Sequence, residues 1–351
     1  MIKIESGLLE SPQKLAEEIF KRDVKGSFAI VSDEQIGNLY GKTLLKALLE
    51  LNTKAFLFTF TAGEKYKTRK TKEELENQMF EKGLGSDTTL IALGGGVTTD
   101  LAGFLASTYC RGISFISIPT TLLAMADASI GGKNGVNCDY GKNLIGTTYQ
   151  PQRVIIDPGI LKTLNMREIK SGLVEIIKHA LIFDADLFEY LKTYSKEILS
   201  LQNESLEKII RESCRIKLQI IEENQTMKGK RHLLNFGHTV GHALEKLSSY
   251  ALSHGEAVAV GIRCESQIAH QLGFLQKSSL DKIQDLFSQY GINTVLEEKF
   301  SIEALLEAMT LDKKSIDGKP RFVILEEIGK CSACDGAFCQ TVDEELLKSI
   351  L

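Results

Sequence analysis

Over the first 160 residues, short β-rich runs alternate with segments of helical periodicity, and this alternation constrains the fold more than any other feature of the chain. SFAIVSD (27–33), KAFLFTF (54–60), TTLIALGGG (88–96), SFISIP (114–119) and RVIID (153–157) read as strands, with EQIGNLYGKTLLKALLE and KTKEELENQMFEKG as helices between them. Strands that lie parallel need a long return path, usually a helix, so this rhythm predicts a Rossmann-like α/β domain over residues 1–160. From residue 161 the β signal fades and helical patterns follow one another, which predicts a mostly α-helical second domain over 161–351. One late β-like run, RFVIL (321–325), fits either an isolated strand in that domain or a strand rejoining the sheet. A length of 351 residues suits two domains.

Charge and composition exclude several partners. Forty-two basic against 46 acidic side chains leave a net charge of −4, without the basic excess of nucleic-acid binders, so neither nucleic acid nor a membrane is expected as partner. No uncharged apolar run reaches the roughly 18 residues of a membrane span, since Arg111 and Asp127 interrupt the most apolar stretch, 104–130. The opening MIKIESGLLESPQK lacks the basic-then-apolar layout of a signal peptide, and seven scattered cysteines suit free thiols better than a disulfide framework. Both point to the cytoplasm.

Glycine is concentrated where a ligand would need backbone access. Residues 94–146 hold 10 of the 29 glycines and only six charged side chains, Asp100, Arg111, Asp127, Lys133, Asp139 and Lys142. Within LIALGGGVTTDLAG three glycines join a strand to a helix, where unpaired N–H groups and the helix dipole favour an anion such as a pyrophosphate. The spacing is not the dinucleotide fingerprint, so a plain tight turn fits equally well. Asp33, ending a strand, suits either a ribose hydroxyl of NAD or the N-cap of the next helix.

Four of the six histidines, His232, His238, His242 and His254, fall within 23 residues. Such clustering points to a metal or proton-transfer site, and helical spacing alone would nominate His238 and His242, one turn apart. Glu175 and Lys178 stand three apart in GLVEIIKHA, the spacing of an ordinary i,i+3 ion pair on one helix face. CSACDGAFC offers Cys331, Cys334 and Cys339 but no second thiol pair, and reads as a surface loop of free cysteines.

Seven motifs, taken in chain order, resemble the 3-dehydroquinate synthase family of the shikimate pathway. They are GEKYK (63–67), GGGVTTDLAGFLASTYCRGISFISIPTTLLAMADASIGGKNGVN (94–137), GKNLIGTTYQP (141–151), GLVEIIKHA (172–180), RHLLNFGHTVGHALE (231–245), LSHGEAVAVG (252–261) and MTLDKKSIDGKPRFVIL (309–325). The family commonly reads VDSSVGGKTGVN where this chain has MADASIGGKNGVN, so Asp127 and Lys133 are kept while Met125, Ala128, Ile130 and Asn134 differ.

The resemblance implies a metal, zinc or cobalt, held by Glu175, His238 and His254, which moves His242 to the substrate side. It implies NAD beside Asp33, Glu64, Lys67, Gly95, Gly96, Asp100, Thr120, Thr121, Lys142 and Thr163. It implies substrate contacts from Asp127, Lys133, Asn143, Lys178, Lys217, Arg231, Asn235, His242 and Lys314, with Arg111 entering from the other subunit of a homodimer. The implied substrate is 3-deoxy-D-arabino-heptulosonate 7-phosphate, whose carboxylate and phosphate suit a basic site. Transient oxidation by NAD, phosphate elimination, re-reduction, ring opening and an intramolecular aldol step would then yield 3-dehydroquinate. Three other readings stand beside it: a cyclase for a neutral-headed sugar phosphate, in which Lys217 and Arg231 would lack an anion; a polyol dehydrogenase that releases NADH; and a catalytically silent NAD-binding protein.

Overall fold

The computed structural model describes residues 1–20, 26–249, 251–295, 300–310 and 319–351. The chain divides into two compact units, Met1–Asn165 and Met166–Leu351.

Among the described residues the first unit has eight strands: β1 (Ile2–Ile4), β2 (Ser27–Asp33), β3 (Lys54–Phe60), β4 (Thr89–Gly94), β5 (Ser114–Pro119), β6 (Lys133–Cys138), β7 (Gly141–Thr148) and β8 (Arg153–Ile156). Six of them form one parallel sheet in the order β1-β8-β5-β4-β2-β3. Every residue of β4 is buried, as expected for a central parallel strand covered on both faces. The predicted strand 88–96 stops at Gly94 because Gly95 caps, and Gly96 starts, the helix Gly96–Thr108.

The sequence reading missed strand β1 and the hairpin of β6 and β7. Strand β1 is three residues long, too short to show alternation, and is recruited by pairing with β8. The antiparallel hairpin β6–β7 lies in the glycine-rich segment, where KNGVNC and GKNLIGTT carry too few apolar side chains to signal strands. Its Asn134 donates through Nδ2 to the carbonyls of Gly132 (2.9 Å) and Tyr149 (2.8 Å). The same side chain covers Gly103 so tightly that a Cβ there would sit 2.1 Å from Asn134 Oδ1.

The second unit is mainly helical: Met166–Phe183, Ala185–Thr193, Asn203–Glu223, His238–Leu247, His254–Gln271, Lys277–Gln289, Ile302–Thr310 and Glu344–Ile350 are its main helices among the described residues. Helix Met166–Phe183 is buried almost continuously from Ile169 to Ile182, so it is central to the unit. The run at 321–325 stays in this unit: Leu325–Glu327 pairs antiparallel with Lys330–Cys331, and Phe322 bridges Gln340. All seven cysteines are free. The cysteine-rich tail is not simply a surface loop, since Cys339 is buried and Cys331 donates weakly to the Ile182 carbonyl. Among the described residues no helix is long and apolar enough to cross a membrane.

Candidate functional site

In the second unit, helix pairs approach closely enough to bring distant residues to one point. Glycines make this possible. A Cβ on Gly255 would stand 2.3 Å from Ser171 Cα, and one on Gly261 would stand 1.8 Å from the Gly237 carbonyl oxygen. The Gly255 N–H also donates to Ser171 Oγ at 3.0 Å. Residue 171 is one turn before Glu175, so this contact sets His254 beside that carboxylate. The contact of Gly261 with Gly237 sets the helix carrying His254 against the helix that His238 opens. Gly237 has φ +78°, a left-handed turn that lets the chain enter the His238 helix.

At the convergence, His254 Nε2 is 3.3 Å and His238 Nε2 3.6 Å from Glu175 Oε1, and Glu175 is fully buried. The other ring nitrogens are engaged elsewhere: His238 Nδ1 bonds the Phe236 carbonyl at 3.0 Å, and His254 Nδ1 lies 3.3 Å from Glu245 Oε2. With the Nδ1 atoms acting as donors, both Nε2 lone pairs face the Glu175 oxygen, which is the arrangement a divalent metal takes from histidine ligands. The donor set of two imidazoles and one carboxylate therefore fits zinc or cobalt. Burial pushes the His254 imidazole down, but hydrogen bonds to Glu175 and Glu245 outweigh it and raise its pKa to about 10. A bound cation would take the place of that proton.

His242 lies next to this group, its ring 5.3 Å from that of His238 and 6.3 Å from that of His254. His242, Glu245 and His254 also meet the spacing for a metal. That set uses Glu245, whose carboxylate faces Nδ1 of His254, the nitrogen directed away from Glu175, so the first set has the better-directed donors. Lys178 pairs with Glu175 at the i,i+3 spacing read from the sequence, and both side chains are buried, so the pair is an interior one. Lys217 is buried on helix Asn203–Glu223, which packs against Met166–Phe183 and against the segment Lys230–Asn235 that carries Arg231 and Asn235. Lys314 lies outside the described residues.

His254 owes its place to local sequence as well. Ser253 caps its helix through a capping box with Glu256, and Arg167 binds Glu256 at 2.8 and 2.6 Å, holding that carboxyl below its ordinary pKa.

In the first unit the sheet order places β2 next to β4 while their crossovers lead to opposite sides, to β3 and to β5. A reversal of this kind opens a crevice at the C-terminal strand ends, where nucleotides bind in open α/β sheets. Asp33 ends β2, and Gly94, Gly95 and Gly96 end β4 and start the next helix. A Cβ at Gly94 would come within 2.4 Å of Thr98 Oγ1, and one at Gly95 within 3.0 Å of Thr121 Cγ2. No side chain caps the Gly96–Thr108 helix, so its first N–H groups suit an anion. Asp33 does act as an N-cap, accepting from the Ile36 N–H at 2.9 Å.

Thr120 and Thr121 follow β5, and the Thr120 N–H bonds the Gly94 carbonyl at 3.0 Å. Lys67 Nζ joins Asp100 Oδ2 and Asn143 Oδ1, each at 2.6 Å, and Lys142 Nζ stands 4.0 Å from Glu64 Oε1. Thr163 Oγ1 lies 3.2 Å from the Tyr40 hydroxyl. Lys133 begins β6 and is exposed, and Asp127 lies in the turn Ala124–Ala128. Arg111 is also exposed, on a left-handed turn in which Cys110, Arg111 and Gly112 have φ of 48°, 70° and 116°.

Two residues absent from the sequence reading emerge here, Glu245 behind His254 and Asn137 behind Glu64. Each lies inside a quoted motif, GHALE or KNGVN, and that was the available signal.

Comparison with known proteins agrees across both units. Residues 57–171 match the family model for the 3-dehydroquinate synthase N-terminal region, and residues 172–315 match that for its C-terminal region. The chain is 41% identical over 339 residues to a 3-dehydroquinate synthase of Prochlorococcus marinus (strain MIT 9215), covering 95% of this chain and 92% of the relative. It is also 41% identical over 336 residues to one of Thermoanaerobacter pseudethanolicus, with 95% and 92% covered. Among solved structures it is similar to 2-deoxy-scyllo-inosose synthase complexed with carbaglucose-6-phosphate, NAD+ and Co2+, with TM-score 0.90, 27% identity and 99% and 95% of the chains covered. It is similar too to the 2-epi-5-epi-valiolone synthase of Streptomyces hygroscopicus subsp. jinggangensis with NAD+ and Zn2+ bound, with TM-score 0.88, 29% identity and 100% and 95% covered.

Proposed function

The chain belongs to the 3-dehydroquinate synthase family, and from this we infer that it converts 3-deoxy-D-arabino-heptulosonate 7-phosphate to 3-dehydroquinate and phosphate. It is an NAD- and divalent-metal-dependent carbon–oxygen lyase. The observation that carries the chemistry is the convergence of His238 Nε2 and His254 Nε2 on Glu175 Oε1.

Glu175, His238 and His254 hold the metal, zinc or cobalt. When bound, NAD supplies a hydride acceptor regenerated within each turnover, and the metal supplies a Lewis acid. The uncapped helix start at Gly96, with Gly95, Thr120 and Thr121, receives the pyrophosphate. Asp33, Glu64, Lys67, Asp100, Lys142 and Thr163 hold the rest of NAD. Asp33 disfavours a 2′-phosphate by charge, which selects NAD over NADP.

The family resemblance assigns substrate contacts to Asp127, Lys133, Asn143, Lys178, Lys217, Arg231, Asn235, His242 and Lys314. Their cations match the substrate's carboxylate and phosphate, and they stabilise charge that develops as phosphate leaves. His242 orients the substrate and moves a proton. Arg111, presented outward on its left-handed turn, completes the site of the partner subunit in a homodimer. The seven free thiols support a cytoplasmic enzyme.

The test supplies the heptulosonate phosphate with NAD and either Zn2+ or Co2+, and measures phosphate and 3-dehydroquinate together. Equal release of both supports the assignment. Phosphate without dehydroquinate, or turnover confined to a neutral-headed sugar phosphate, overturns it.

A further inference from the structure

We propose that Asn137 is a positioning residue that ties the nucleotide-binding side chains of the first unit to its substrate-binding side chains. The proposal rests on the assignments of Glu64, Lys67, Lys142 and Asn143 made above.

Asn137 sits where the β6–β7 ladder fails. Pairing runs from Val136 with Ile145 to Cys138 with Gly141, so Asn137 faces residues 142–144 without a partner in register. Its side chain supplies the bonds that the ladder lacks. Oδ1 accepts from the Asn143 N–H at 3.0 Å, and Nδ2 donates to Glu64 Oε1 at 2.7 Å. On the backbone, its N–H donates to the Lys67 carbonyl at 2.8 Å, in a parallel bridge that joins the hairpin to the 64–68 segment.

One carboxamide thus fixes two groups of different assignment. Asn143 holds a left-handed backbone, φ +54°, and the bond from its N–H to Asn137 helps keep it there. From that position Asn143 Oδ1 accepts from Lys67 Nζ, which also binds Asp100. On the other arm, Nδ2 orients the Glu64 carboxylate that Lys142 approaches. The result is a closed circuit of Glu64, Asn137, Asn143 and Lys67. A residue here needs a donor and an acceptor on one short planar group, which asparagine provides and aspartate does not.

Asn137→Asp keeps shape and keeps the acceptor for the Asn143 N–H, while setting a carboxylate against Glu64. Asn137→Ala removes both arms. Titration with NAD is expected to show Asn137→Asp weakening Kd at least tenfold with KM for the heptulosonate phosphate within threefold of the parent. Asn137→Ala is expected to weaken NAD binding and raise KM together. If both variants merely melt earlier, with NAD Kd and KM unchanged in the folded protein, the residue is only hairpin support and the proposal falls. The parent run alongside separates the two claims. A parent that binds NAD but makes no dehydroquinate refutes the proposed reaction, and the NAD titration still decides the Glu64 arm; a parent that does not bind NAD refutes both.

Discussion

His254 Nδ1 lies 3.3 Å from Oε2 of Glu245, a carboxylate almost wholly buried, while Nε2 of the same ring faces Glu175. Glu245 holds Nδ1 of the ring and so turns Nε2 towards Glu175. Partners of this kind typically contribute 10–100-fold to metal affinity. Glu245→Gln should therefore weaken Zn2+ binding by roughly that factor in equilibrium dialysis. Affinity within twofold of the parent would show that the contact does not support the ligand.

His238 and His242 should separate cleanly on metal analysis. His238→Ala and His254→Ala are expected to purify with little metal, because each removes a donor aimed at Glu175. His242→Ala should keep near-stoichiometric metal while kcat falls by about 10²-fold, the usual scale for loss of a proton-transfer group. A metal-poor His242 variant beside a metal-rich His238 variant would favour the set formed by His242, Glu245 and His254.

Gly261→Ala tests the packing that assembles the centre. Its Cβ would fall 1.8 Å from the Gly237 carbonyl oxygen, a backbone atom that cannot swing aside. The helices carrying His238 and His254 must then part. Urea unfolding of the metal-free protein should show a loss of about 1–3 kcal/mol or more, and metal affinity should drop with it. Unchanged stability and affinity would mean that this close approach is not what sets the ligand geometry.

Gly103 and Asn134 should be energetically coupled. Gly103→Ala meets Asn134 Oδ1 at 2.1 Å while Asn134 is held by two hydrogen bonds, so the side chain cannot simply rotate away. In a double-mutant cycle with Asn134→Ala, the alanine at 103 should cost less once Asn134 is gone, with a coupling of about 0.5–3 kcal/mol. Additive effects would contradict the packing.

Much of the first unit was legible in sequence because buried parallel strands are written as compact apolar runs: β2, β3 and β5 occupy the residues read as strands. The hairpin β6–β7 was not, since its stability comes from the fit onto the neighbouring helix and from Asn134 and Asn137, not from alternation. In the second unit the histidine cluster was visible, yet spacing favoured His238 with His242. The contact of Gly255 with Ser171 sets His254 beside Glu175, and that of Gly261 with Gly237 sets its helix against the His238 helix. Such long-range proximity has no period in the chain. Glu175 and Lys178 show the same limit, because spacing reveals the pair but not its burial.

The central claim is that NAD and the metal serve one redox-neutral cyclisation. It is tested most directly by supplying the heptulosonate phosphate and saturating metal with NAD no more abundant than enzyme sites, then following phosphate, 3-dehydroquinate and absorbance of NADH together. The account predicts many molecules of both products per NAD and no accumulation of NADH. NADH rising one for one with consumed substrate, or a reaction that stops after one turnover per NAD, would contradict it.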